Sequence, residues 1–164
     1  MGFLKRITPV LLIIMSMFIV FANANYSFAD DESSYYVNNR PVYVIGPNSK
    51  PYYKKMCRYS TYNKYTKQWY LLRSYAERIS KKGGGTLILK KGTYRTPVSI
   101  QLSSNTHIIL RDGVKIQKTY RTGTKKIHRN SPLFQFINYK LYRKKAAVKD
   151  YNGSSNITIV CPNG

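Results

Sequence analysis

The stretch from residue 68 to residue 94, QWYLLRSYAERISKKGGGTLILKKGTY, constrains the fold more than any other part of the chain. Trp69, Leu72, Ala76 and Ile79 recur at helical spacing, and Leu71 and Tyr75 widen the apolar face. Thr66 stands where an N-cap hydroxyl is expected, and Lys81 and Lys82 fall where cations oppose the helix dipole. Gly83 then provides the left-handed residue that ends a helix. Gly84 and Gly85 let the backbone turn sharply and pass close to the helix end. Thr86-Leu87-Ile88-Leu89 is a short apolar strand, Gly92 is a turn residue, and Thr93-Tyr94-Arg95-Thr96 resumes extended structure until Pro97 breaks it. The helix is therefore expected to pack directly against the strands that follow it.

Beyond Pro97 the pattern stays extended. Val98 to Leu102 alternates with period two, residues 106–110 are nearly all apolar as in a strand buried on both faces, Asp112-Gly113 turns the chain, and Val114-Lys115-Ile116 alternates again. Ser103-Ser104-Asn105 with its apolar run and polar-glycine turn is repeated by Ser154-Ser155-Asn156 and the residues after it. Asn130 falls midway, so a repeat of about 25 residues is predicted, within the range of stacked solenoids. Asparagine at the bend before a strand tolerates the left-handed conformation and bonds neighbouring backbone. A ladder of Asn105, Asn130 and Asn156 is the expectation.

The N-terminus reads as a leader. Lys5 and Arg6 precede an apolar run over residues 10–21, short for a membrane span and right for a secretory signal. Cleavage is expected after Ala29 or Ala24, so residues 1–29 are assigned as signal peptide, the product as extracellular, and no stable span remains. Residues 30–66 form a Tyr/Lys-rich arm in which Val42-Tyr43-Val44-Ile45 and Gly46-Pro47-Asn48 read as a short strand and turn. Residues 67–164 hold the helix and the strands.

Charge narrows the partner. The chain has 28 basic and 6 acidic residues and a formal net charge of +22. Such a chain attracts polyanions. For a secreted protein these are acidic polysaccharides, anionic cell-wall polymers and lipid surfaces, with nucleic acid ranked last. Tyr52, Tyr53, Lys54, Lys55, Tyr62, Lys64 and Tyr65 are the candidate contacts, because sugar rings stack on aromatic faces while lysine neutralises carboxylates. The alternative for the same tyrosines is packing of the arm onto the helix.

Few residues suit catalysis. Glycoside hydrolysis needs two carboxylates about 5–9.5 Å apart. Apart from Asp30, Asp31 and Glu32, the acids are Glu77, expected to face solvent from the helix, Asp112 in a turn and Asp150 in a loop. His107 and His128 are isolated, without metal-ligand spacing. The glycine run follows a helix, whereas phosphate cradles precede one. No catalytic residue, cofactor or metal site is expected. Cys57 and Cys161 lie in an oxidising context, and a bridge would add about 4–5 kcal/mol in the chain-entropy model. Strands stack about 4.8 Å apart, so coils two or three layers apart would hold the pair out of reach. The sequence leaves both readings open.

The order helix, Gly83-Gly84-Gly85-Thr86-Leu87-Ile88-Leu89, Gly92-Thr93-Tyr94, then Asn105-Thr106-His107-Ile108-Ile109-Leu110-Arg111-Asp112-Gly113-Val114, resembles the N-terminal coils of the pectin-lyase-like superfamily. Ser131-Pro132-Leu133-Phe134 and Asn156-Ile157-Thr158-Ile159 are similar to later elements of its polygalacturonase-type branch, and the resemblance spans about residues 66–164. It implies a mainly β fold: a truncated right-handed parallel β-helix of about two to four coils with an N-terminal capping helix. It also implies ancestry among pectate lyases or polygalacturonase-type hydrolases acting on acidic polysaccharides. In that family the reacting aspartates, histidine, basic pair or calcium ligands lie on later coils. No Asp-Asp pair, Asn-Thr-Asp triplet or Arg-x-Lys follows these elements here, so the chain is expected to be an inactive fragment or truncated copy. Its last coil edge would be open to self-association. A secreted basic module that binds anionic wall or plant polysaccharide is the alternative.

Overall fold

The computed structural model describes residues 32–143 and 153–162. The predicted leader and Asp150 lie outside the described residues. Among those described, no helix is long and apolar enough to cross a membrane.

Among the described residues, eight short strands and two α-helices follow one another as β1 (Val42–Ile45), α1 (Lys67–Lys81), β2 (Gly85–Leu89), β3 (Gly92–Thr96), β4 (Ile100–Gln101), β5 (Thr106–Leu110), β6 (Val114–Lys118), β7 (Phe134–Gln135), α2 (Tyr139–Arg143) and β8 (Ile157–Val160). Three sheets result, ordered β1-β2-β5-β8, β3-β6 and β4-β7. Every pairing is parallel. From β2 onward the chain visits the three sheets in turn, returns to the first at β5, and repeats the circuit through β6 and β7 to β8.

α1 closes over this arrangement. Its Leu72, Ala76 and Ile79 join Leu87, Leu89, Ile100, Leu102 and Ile108 in one buried cluster, and the helix touches strands of all three sheets. The Trp69 indole N–H donates to the Ser99 carbonyl at 3.1 Å. The triple glycine works residue by residue. Gly83, at φ 74°, donates to Ser80 O while Gly84 donates to Ile79 O, which together satisfy the last carbonyls of the helix. A Cβ on Gly84 would lie 2.6 Å from Asn105 Cβ, and one on Gly85 would lie 2.7 Å from the Pro41 carbonyl oxygen. The helix end therefore reaches the sheet only because side chains are missing there.

Several sequence expectations are corrected. Thr66 does hold the N-cap position, but with a helical backbone at φ −111° and ψ −11° and no side-chain cap. Its hydroxyl donates to Thr61 O at 2.6 Å instead, and Asn63 takes the turn by accepting from Tyr65 N at 2.8 Å through its side chain. Glu77 does not face solvent: it is 6% exposed and its Oε1 lies 2.6 Å from Arg73 Nε. The helix is covered on a second side by residues 54–58 and α2, which hydropathy on α1 alone does not reveal. The asparagine ladder has two rungs rather than three. Asn105 (φ 57°) and Asn156 (φ 54°) are both left-handed, and Asn156 Nδ2 donates to Asn105 Oδ1 at 2.8 Å. Asn130 lies by another sheet, where its Oδ1 accepts from Ser99 N at 2.6 Å. The repeat is not even: β5 begins 21 residues after β2 and β8 begins 51 after β5, because residues 119–133 lengthen the path from β6 to β7 and residues 136–156 that from β7 to β8.

The segment called an arm contributes structure. β1 pairs along β2 from Val42 opposite Thr86 to Ile45 opposite Leu89. Before it, Val37 N donates to Thr86 Oγ1 at 3.0 Å, the Tyr35 carbonyl meets His107 Nδ1 at 2.6 Å, and Glu32 holds Arg111 through two contacts of 3.0 Å. That arginine draws the Glu32 carboxyl below its ordinary pKa, against the opposing effect of burial. Cys57 and Cys161 are free thiols.

Candidate functional site: a basic aromatic cleft on the capping helix

Arg73, Glu77 and Lys81 are spaced by four along α1 and so share one face of it. Residues 54–58, a 3-10 turn, flank that face on one side and α2 on the other. Between them lies a cleft of about 510 Å³ lined by Tyr53, Lys55, Met56, Tyr59, Arg73, Glu77, Ser80, Lys81, Tyr139, Lys140 and Arg143. Five cations and one carboxylate therefore line it.

That carboxylate is committed. Glu77 accepts from Arg73 Nε at 2.6 Å, and Arg73 Nη2 donates to the Tyr139 hydroxyl at 2.9 Å. The Arg73 guanidinium also stands 5.1 Å from the Trp69 ring, 5.8 Å from Tyr70 and 5.4 Å from Tyr139. Burial works against its charge, but Glu77 and then Tyr139 more than offset this and hold its pKa above the usual range. Arg73 is thus a fixed cation in an aromatic box. At the mouth the cations are freer: Lys81 Nζ lies 4.5 Å from the Tyr53 ring centroid and Arg143 5.9 Å from that of Tyr139. The Tyr53 hydroxyl is buried and has no hydrogen-bond partner among the described residues.

The sequence-derived contacts divide between two places. Tyr53 and Lys55 line the cleft. Tyr52 borders it without lining it, in an edge-to-face cluster with Tyr43, Tyr53 and Tyr75 capped by Arg78 at 4.9 Å. Lys54 is exposed at the start of the 3-10 turn. Tyr62 packs on Tyr70 at 5.7 Å, and burial, aided by Cys57, raises its pKa. Lys64 lies 5.2 Å from the Tyr65 ring, and the Tyr65 hydroxyl is drawn below its usual pKa by a hydrogen bond from Arg121 and by the Lys64 charge. Tyr65 also abuts Gly123 in the loop after β6. Tyr62, Lys64 and Tyr65 do not join the cleft.

Sequence reasoning missed Arg73, Glu77, Lys81, Tyr139, Lys140 and Arg143. The signal was present as the four-residue spacing of Arg73, Glu77 and Lys81 and of Tyr139 and Arg143, but each pair reads equally well as a solvated helix face.

No metal-binding group of three or more histidine, cysteine or acidic side chains occurs among the described residues. No protein-family model, no curated protein and no solved structure matches the chain.

Proposed function

We propose that this chain is a secreted, basic module that binds acidic polysaccharide, folded as the first coils of a right-handed parallel β-helix of the pectin-lyase-like kind. The fold half rests on the cyclic passage of the strands through three parallel sheets, with α1 laid against all three. The binding half rests on one observation: the cleft presents Lys55, Lys81, Lys140 and Arg143 beside tyrosines, while its single carboxylate is already held by Arg73.

A uronate polymer suits these groups. Its carboxylates match the guanidinium fork and the lysine ammonium, and the apolar faces of its rings match the tyrosine rings. The cleft's net positive charge steers such a chain inward and makes its binding salt-dependent. Turnover is not part of the reading. Glu77 is bound to Arg73, Glu32 to Arg111, and Asp112 occupies the turn before β6, so among the described residues no second carboxylate stands across the cleft.

Affinity electrophoresis of the full chain in gels containing polygalacturonate, teichoic acid or DNA tests the proposal. Retardation strongest on polygalacturonate and abolished by salt is expected, with no unsaturated uronide or new reducing ends released. Equal migration in all gels would overturn the binding reading, and release of product would overturn the inactive one.

A further inference from the structure

A second basic hollow lies at the end of β6, and none of its lining residues is shared with the cleft. Lys118 closes that strand, and its Nζ donates to Pro132 O at 3.0 Å and to Asn130 Oδ1 at 3.3 Å. Asn130 Oδ1 also accepts from Ser99 N at 2.6 Å, and the Ser99 hydroxyl donates to Pro132 O. Residues 130–132 are thereby fastened to the ends of β4 and β6 and make a fixed floor. Above it opens a hollow of about 320 Å³ lined by Lys118, Thr119, Tyr120, Arg129, Asn130 and Ser131. Tyr120 is 78% exposed, and the Arg129 guanidinium lies 5.2 Å from its ring centroid. No acidic side chain lines the hollow.

We infer that this hollow is a second carbohydrate site, which takes a single uronate ring on Tyr120 with its carboxylate between Arg129 and Lys118. The inference rests on the proposed ligand class but on different residues. An isolated phosphate would need only the cations. The open tyrosine face beside them fits a ligand that has an apolar ring surface as well as an anion. The hollow is at the small end of ligand pockets, which matches a short segment of chain. The partly buried Lys118 uses two of its three N–H groups on the floor, so one remains for the ligand. Burial lowers its pKa from the usual lysine value, in keeping with an ammonium set into the wall.

Two sites on one chain bind a long polymer more tightly than either binds a short one. The test is calorimetric titration of the full chain with trigalacturonate, with inorganic phosphate as a control probe. Two trimers per chain are expected for the unaltered protein, and phosphate should not compete at equal concentration. The double variant Tyr120→Ala/Arg129→Ala removes two exposed side chains and should leave one trimer bound, while affinity for long polygalacturonate falls at least tenfold. Lys140→Ala/Arg143→Ala should also leave one trimer bound, now at the hollow. A stoichiometry of one that Tyr120→Ala/Arg129→Ala does not change would overturn the second site and leave the cleft standing. One trimer lost with Tyr120→Ala/Arg129→Ala but unaffected by Lys140→Ala/Arg143→Ala would do the reverse. Displacement by phosphate would overturn the assignment to a sugar ring, and no trimer binding at all would overturn both sites.

Discussion

The two faces of α1 make opposite uses of the same helix. One carries Leu72, Ala76 and Ile79 into the cluster shared with Leu87, Leu89 and Ile108. The other carries Arg73, Glu77 and Lys81 into the cleft. The first face is closed by shape: its residues are almost wholly removed from water, and the glycines after it bring Asn105 and Pro41 against the helix end. The second is organised by charge and rings, and it stays open. Rigidity on one side is what lets the other hold cations in place, because a helix pinned to three sheets does not move its side chains out of register.

Substitutions separate the two faces, and the largest effect is expected inside. Leu89 has no exposed surface, so Leu89→Ala should cost about 2–5 kcal/mol of stability by denaturant unfolding while the folded fraction keeps its affinity for polygalacturonate. A loss of affinity in the folded protein would mean that the faces are not independent.

Next comes Tyr94, also fully buried, whose single hydroxyl hydrogen is shared between Lys90 O at 2.9 Å and Ile45 O at 3.1 Å. Burial pushes its pKa up to about 12 from an ordinary 10.0. Because the folded value is the higher one, the stabilisation is complete below pH 10 and is lost as the pH rises through 10 toward 12. The loss should reach about 2–3 kcal/mol. Unfolding measured across that window should fall less steeply in Tyr94→Phe than in the unaltered chain. Parallel slopes would contradict the assignment.

The smallest effect on stability belongs to the cleft. Glu77→Gln keeps the shape and removes the charge that holds Arg73, so about 1–3 kcal/mol should be lost by denaturant unfolding. Binding of acidic polysaccharide should strengthen, since the cleft gains a positive charge. Weaker binding would show that Glu77 orders the site more than it opposes the ligand.

The same division explains what could be read from the sequence. The helix, its glycine stop and the strands around Leu87, Ile108 and Val114 are written as local periodicity and turn chemistry, and these survive without tertiary context. That Asn130 stands outside the ladder was not legible, because it satisfies the same local preferences as Asn105 and Asn156 while serving Ser99 and Lys118 instead. Thr66 looked like a cap because its position is right, yet Asn63, three residues earlier, had already turned the chain. For the cleft, Tyr53 and Lys55 were found because they crowd together along the chain. Tyr139 and Arg143 were not, since only folding brings them to Arg73, 66 residues from Tyr139 in sequence. Glu77 was misplaced for the same reason: nothing local tells a carboxylate that a second layer will cover it.

We propose that the outer face of α1 binds acidic polysaccharide. This is tested most directly by the dissociation constant for polygalacturonate, measured from low to high salt for the full chain and for Lys140→Ala/Arg143→Ala. Binding should weaken steadily with salt, and the variant should show lower affinity and a shallower salt dependence. Identical curves for the two proteins would contradict it.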